Sequence, residues 1–170
     1  MKRIFPRSRD GFSLTEILIS LSVVALLSAV LVTYNHTSEQ QVVLIKEQAK
    51  IIGTVLRAKS LAIQANTEGG AVCGYGVHFS ANGEFVLFKE LCAGADNRYS
   101  DVSERIETYQ LQQSLHFTGP LAISDIVFLP PDPTVILTPP ASEAAVRIAT
   151  SDDLYSVAVN LNDAGQVSTD

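Results

Sequence analysis

One apolar run, Phe12–Tyr34, constrains this chain more than any other stretch. Between Ile17 and Val32 its only polar side chains are Ser20, Ser22 and Ser28. As an α-helix, 23 residues reach about 34 Å, enough to cross a bilayer core of about 30 Å. The roughly 135 residues that follow suffice for one modest core of their own. The sequence therefore predicts a membrane helix joined to a separate globular head. The run contains one anomaly, Glu16, just inside its start. A carboxylate in hydrocarbon costs roughly 3 kcal/mol or more, so it marks function and calls for a partner.

Charge gives the run a direction. Lys2, Arg3, Arg7 and Arg9 precede it, opposed only by Asp10. Basic residues before a membrane segment hold that end in the cytoplasm. Beyond Gly11 the chain keeps 8 basic and 17 acidic side chains, a net of −9, against −6 for the whole. That acidic bulk then lies outside, and it argues against a general affinity for nucleic acid or anionic lipid. Cys73 and Cys92 fall in the same outer portion, where an oxidising compartment permits a disulfide.

Three readings fit residues 1–34. A secretory signal peptide has an apolar core of about 7–15 residues and then a small-x-small cleavage site. This run is longer, and TYNHTSEQQ follows Val32. A plain signal anchor explains everything except Glu16 and the abrupt basic-Gly-Phe junction. The third reading rests on Gly11-Phe12-Ser13-Leu14-Thr15-Glu16, which resembles the type IV prepilin signature at every defined position. The resemblance covers Gly11–Tyr34, 24 of 170 residues. It implies that a membrane-embedded aspartyl peptidase, the prepilin peptidase, cuts after Gly11 and N-methylates Phe12. Residues 1–11 would be the leader peptide and 12–170 the mature chain. Cleavage would leave a cationic amine on Phe12, four residues before Glu16 and on the same helix face. In filaments of this family the glutamate is thought to meet the amine of a neighbouring subunit. A costly carboxylate neutralised only when subunits stack becomes an assembly signal. The plainer alternative is that Glu16 snorkels to the headgroups. Many major pilins also carry a proline in this segment. Here none occurs between Pro6 and Pro120, which favours minor pilins and pseudopilins.

Helical signals continue to about Ala65. Ile45, Ala49, Ile52, Leu56 and Ile63 form an apolar stripe expected to face the head, and Asn66-Thr67-Glu68-Gly69-Gly70 forms a stop. Lys46, Lys50, Arg57 and Lys59 belong to a solvated face or pair with neighbours. The expected organisation is a leader (1–11), a transmembrane or filament-core helix (12–34), an amphipathic helix on the head (35–66) and a β-rich head (67–170). AVCGYGVHF and EFVLFKELC flank Asn82-Gly83, a strong hairpin signal. A two-residue turn there puts Phe79 opposite Val86, Val77 opposite Phe88 and Cys73 opposite Cys92. Cross-strand neighbours are within disulfide reach, although this pair is the less comfortable hydrogen-bonded kind, which a bulge or longer loop would shift. Five further strands are expected in 104–111, 126–130, 134–138, 144–149 and 154–161, with the longest loop at 93–104. The fold class is α+β: a long N-terminal helix, then an antiparallel, pilin-like β-rich head. A helix ending LRAKSLAIQAN before such a head is similar to the H-type pseudopilins of type II secretion and to the T-type fimbrial minor pilins.

His36, His78 and His116 lack metal-ligand spacing with each other or with cysteine. His78 and His116 are expected to be structural, and Asp152, Asp153 and Asp163 to be turn residues. No enzymatic activity, metal or cofactor is expected. Expected partners are the prepilin peptidase, other pilin or pseudopilin subunits and an inner-membrane assembly platform. The expected location is the bacterial inner membrane, with one pass, the N-terminus in the cytoplasm and the head outside, and then a pilus or pseudopilus. From another class, the alternative is a membrane-anchored binding module that never polymerises. From Gly70 onward the only cations are Lys89, Arg98, Arg105 and Arg147, against 13 acidic side chains. A gel-shift titration of the chain with duplex DNA at physiological salt should therefore show no binding; a salt-sensitive shift at low micromolar protein would contradict this.

Overall fold

The computed structural model describes residues 13–65, 71–119, 121–130 and 134–169, without the side chains of 32–38. Helix α1 runs Leu14–Gln64, close to the expected bounds; its expected stop at 66–70 lies outside the described residues. The chain divides into two compact units between Glu39 and Gln40.

In the first unit, Leu14–Leu31 is long and apolar enough to cross a membrane, with mean hydropathy 2.3 and no residue buried. Its three serine hydroxyls are satisfied by the helix itself. Ser20 Oγ donates to the Glu16 carbonyl at 2.7 Å, Ser22 Oγ to the Ile19 carbonyl at 2.7 Å and Ser28 Oγ to the Val24 carbonyl at 2.8 Å. Such back-bonding lets a serine sit among apolar side chains without an unpaired polar group.

The second unit contains the rest of α1 and nine strands, paired antiparallel throughout. They are β1 (Val72–Phe79), β2 (Glu84–Leu91), β3 (Arg105–Gln110), β4 (Leu115–Phe117), β5 (Asp125–Leu129), β6 (Thr134–Thr138), β7 (Glu143–Thr150), β8 (Ser156–Asn162) and β9 (Val167–Thr169). Five form one sheet in the order β3-β2-β1-β5-β6, and four form another in the order β4-β7-β8-β9. The α+β class with a β-rich head thus holds. The short β4 and β9 were not anticipated from sequence.

One core joins both sheets to α1. Leu44, Ile51, Val55, Ala58 and Ala62 meet Val77, Phe79, Phe85, Leu87, Ile126 and Phe128 of the first sheet. Val146, Ile148, Val159 and Leu161 enter from the second. The buried helical face is therefore not the expected stripe. Ile45 is 60% exposed, Leu56 50% and Ile63 51%. At about 100° per residue the two stripes lie about 120° apart, so periodicity alone could not choose between them. The packed face also carries Gln48 and Thr54, which find partners: Gln48 Nε2 donates to the Ala158 carbonyl at 2.8 Å, and Thr54 Oγ1 to the Lys50 carbonyl at 2.9 Å.

The β1–β2 hairpin corrects the expected register by one residue. Its loop is Ala81-Asn82-Gly83, three residues long. The Ser80 carbonyl accepts from the Gly83 N–H at 3.2 Å, and the Ser80 N–H donates to the Glu84 carbonyl at 2.8 Å. Gly83 adopts φ +83°, a conformation that favours glycine, and Asn82 Oδ1 accepts from the Glu84 N–H at 3.1 Å. Phe79 consequently pairs with Phe85 and Val77 with Leu87. In this register Cys73 would face Leu91. An irregularity between Val72 and Gly74 takes Cys73 out of the ladder, and the Cys92 N–H bonds the Ala71 carbonyl. The Cys73–Cys92 disulfide forms across this bulge, with Cα atoms 4.9 Å apart. The expected bridge is present although the pairing that suggested it is not.

Closing a 19-residue separation stabilises such a head by about 3 kcal/mol in the chain-entropy model, and the bridge pins the strands against slippage. The double variant Cys73→Ala/Cys92→Ala should melt lower and be proteolysed faster. An unchanged melting profile by circular dichroism would deny the bridge that role.

Candidate functional site

Glu16 sits in the first turn of α1, exposed, at the edge of the apolar span. Its N–H reaches the Ser13 carbonyl at 3.0 Å, and Ser13 Oγ lies 2.8 Å from Thr15 Oγ1. A carboxylate at a helix N-terminus also gains from the helix dipole. Gly11 and Phe12, the expected cleavage and methylation residues, lie outside the described residues. The carboxylate is thus presented outward on a helix whose neighbouring surface is hydrocarbon-like.

On the second unit, α1 presents the apolar stripe that the head leaves uncovered: Val42, Ile45, Ala49, Leu56 and Ile63, with Ile52 half-buried beside them. Gly53 adds open space, since nothing lies within 4 Å of the Cβ it lacks. The cations of this helix are mostly engaged within the head. Lys50 Nζ lies 3.2 Å from Glu47 Oε2 and 3.0 Å from the Gln110 carbonyl. Arg57 pairs with Glu107, and Lys59 Nζ donates to the Gly165 carbonyl at 3.1 Å. Lys46 is exposed.

The prokaryotic N-terminal methylation motif matches residues 6–32. The chain carries the type IV prepilin-like signature. No match was found among curated proteins or among solved structures. The motif implies processing by a peptidase and assembly with other pilins, and with the apolar helix it fits a membrane-anchored protein. It places Gly11, Phe12 and Glu16 within one matched segment.

The prepilin-like chain also holds a polar site in its head that sequence reading did not assemble. The first sheet is buried on both faces; on the second face Val86, Phe88 and Val127 form a smaller core with Tyr99, Leu129 and Ile136. Three buried carboxylates tie the 93–104 loop to this region. Glu90 Oε1 accepts the Asp96 and Asn97 N–H groups at 2.8 and 3.2 Å. Asp125 Oδ1 accepts the Tyr99 N–H at 3.1 Å. Glu104 Oε2 accepts the Ser100 and Asp101 N–H groups at 2.9 and 3.2 Å. His78, expected to be structural, has its Nδ1 2.7 Å from Asp125 Oδ1 and its Nε2 3.2 Å from Ser80 Oγ. Alternation places Val86, Phe88 and Glu90 on one strand face, a signal that could have marked Glu90. The contacts of Glu104 and Asp125 depend on the path of the loop. Among the described residues no group of three His, Cys, Asp or Glu side chains could hold a metal ion. Asp152 and Asp153 lie in the turn after β7, and Asp163 in the turn after β8.

Two of these carboxylates shift in opposite directions. Burial pushes the Glu90 carboxyl above its ordinary range; the Asn97 and Asp96 N–H bonds oppose this, while the charges of Glu104 and Asp96 add to it. Its Oε2 is buried without a partner among the described residues. For Asp125, burial acts upward, but bonds from His78, Ser124 and the Tyr99 N–H outweigh it and hold the group below its ordinary range. Asp125 therefore stabilises the head above the ordinary carboxylate range, and that contribution is lost as pH falls through its folded pKa. Glu90 behaves inversely: stability is fully present below its unfolded pKa and is lost as pH rises through the raised folded value. Glu90→Gln keeps an acceptor for the two loop N–H groups and removes the ionisation. It should match the parent in acid buffer and exceed it increasingly as pH rises through the raised folded pKa of Glu90. Thermal melts across that range provide the check; a pH-independent difference would assign Glu90 no such role.

Proposed function

We propose that this chain is a minor pilin or pseudopilin. The prepilin peptidase matures it at Gly11–Phe12, and it polymerises into a type IV pilus or type II secretion pseudopilus. The observation that carries this reading is the unbroken Gly11-Phe12-Ser13-Leu14-Thr15-Glu16 signature, set between a basic leader and a membrane-length apolar helix. The leader would stay in the cytoplasm and the head would face outward from the inner membrane. The protein is then a substrate and a building block, gathered into the filament by an inner-membrane assembly platform.

Two features support polymerisation over a solitary anchor. Glu16 is exposed on the span, where only an incoming cation would offset its desolvation. The exposed Val42, Ile45, Ala49 and Leu56, with the half-buried Ile52 among them, repeat at alternate spacings of three and four, the pattern with which helices interlock. A single head leaves the exposed members of that stripe uncovered, whereas a neighbouring helix would bury them.

Mass spectrometry of the chain purified from a host with an active prepilin peptidase should give a mature form beginning at N-methylated Phe12. An intact leader in that host would refute the reading. Glu16→Ala removes a charge from the span, so membrane insertion should be unchanged or improved, while recovery in sheared filaments should fall by tenfold or more (a factor of ten is about 1.4 kcal/mol). Normal co-assembly of this variant would remove Glu16 from the mechanism.

A further inference from the structure

The polar cluster at the end of β1 has an arrangement that assembly does not use. Asp125 is 3% exposed, and its acceptor capacity is taken up systematically. Oδ1 receives the Tyr99 N–H at 3.1 Å and faces His78 Nδ1 at 2.7 Å, while Oδ2 receives Ser124 Oγ–H at 2.7 Å. A carboxylate used as acceptor on all sides requires the proton on His78 Nδ1. Neutral imidazole then leaves Nε2 as an acceptor, and Ser80 Oγ lies 3.2 Å from it. The Tyr99 ring packs on the imidazole with centroids 5.3 Å apart and limits its rotation. The His78 side chain is 23% exposed and Ser80 is half-buried, so solvent-borne molecules reach both. Two N–H groups directly after Ser80, those of Ala81 and Asn82, have no acceptor among the hydrogen bonds of the described residues.

These are the parts that acyl transfer requires: a hydroxyl, a base within reach of its proton, a buried group that fixes the base, and free N–H donors beside the hydroxyl. We infer that Ser80 is a nucleophile, with His78 as its general base and Asp125 as the residue that positions His78, and that it takes the acyl group of a small activated ester. Ser80 Oγ forms a bond to the carbonyl carbon as its proton passes to His78 Nε2. The C–O bond to the alcohol then breaks, and the alcohol leaves with that proton. Water, deprotonated by the same nitrogen, releases the acid and restores Ser80. Clefts along β7–β9 and between α1 and the start of β8 lie elsewhere, and the site at the hairpin serves small esters that arrive from solvent. This chemistry is independent of polymerisation, and the sequence could not announce it, because Asp125 is 47 residues from His78.

A fluorophosphonate probe tests the inference on the full-length chain in detergent. Attack by Ser80 Oγ expels fluoride, and the adduct should map to Ser80 alone. It should disappear in Ser80→Ala and form at least ~100-fold more slowly in His78→Gln, the usual size of a general-base effect. Absence of an adduct, an adduct at other serines, or a rate indifferent to His78→Gln would overturn the inference. Should His78→Gln not fold, Ser80→Cys keeps the question open to measurement, since the native chain has no free cysteine among its described residues. Its alkylation by iodoacetamide should be at least tenfold faster than in the same variant unfolded. Equal rates would overturn the proposal.

Discussion

The head depends on one contact: the burial of a single face of α1, from Leu44 to Ala62, against strands of both sheets. Each sheet has a hydrophobic face to cover, and one stripe of a helix serves both. Fixing that stripe fixes the rest of the helix surface. Ile45, Leu56 and Ile63 are turned outward because Leu44, Val55 and Ala62 are turned inward. The uncovered apolar face is thus a geometric corollary of the core, set by 3.6 residues per turn.

The second face of the first sheet is closed by different means. No helix covers it. An irregular loop does so, and irregular backbone needs polar partners of its own. Glu90, Glu104 and Asp125 supply them, each accepting loop N–H groups. The arrangement leaves a residual conflict. Glu90 has one oxygen without a partner and shifts upward, whereas Asp125 is fully occupied and shifts downward. Asp125 favours a pH above its lowered pKa and Glu90 a pH below its raised one, so both are satisfied together only in the window between.

Much of this was legible in the sequence. The apolar span, the long helix, most strands and the bridged cysteines follow from composition, period and turn chemistry. Three things were not. The buried stripe of α1 was ambiguous because Leu44 and Ile45 begin two equally apolar faces, and only the sheets select one. The hairpin register slipped because Asn82-Gly83 serves a three-residue loop as readily as a two-residue one, with Gly83 at positive φ in the observed case. The cluster of His78, Ser80 and Asp125 was invisible because β1 and β5 are adjacent only in the folded sheet. Of the proposed assembly site, Glu16 could be read from its neighbours in sequence, since its meaning is local: a charge where the surrounding solvent is hydrocarbon.

The serines of the span carry a further implication. Ser20, Ser22 and Ser28 return their hydroxyl protons to their own backbone, so none of these donors is left to bridge sideways to another helix. From Ile17 to Leu31 the rod is chemically almost featureless. Two such rods could slide along one another by a turn, about 5.4 Å, with little change in packing. A single carboxylate at one end removes that freedom, because only one axial offset brings a cation to it. Glu16 would then act as the zero mark of a ruler, and the unmarked length behind it makes that mark unambiguous.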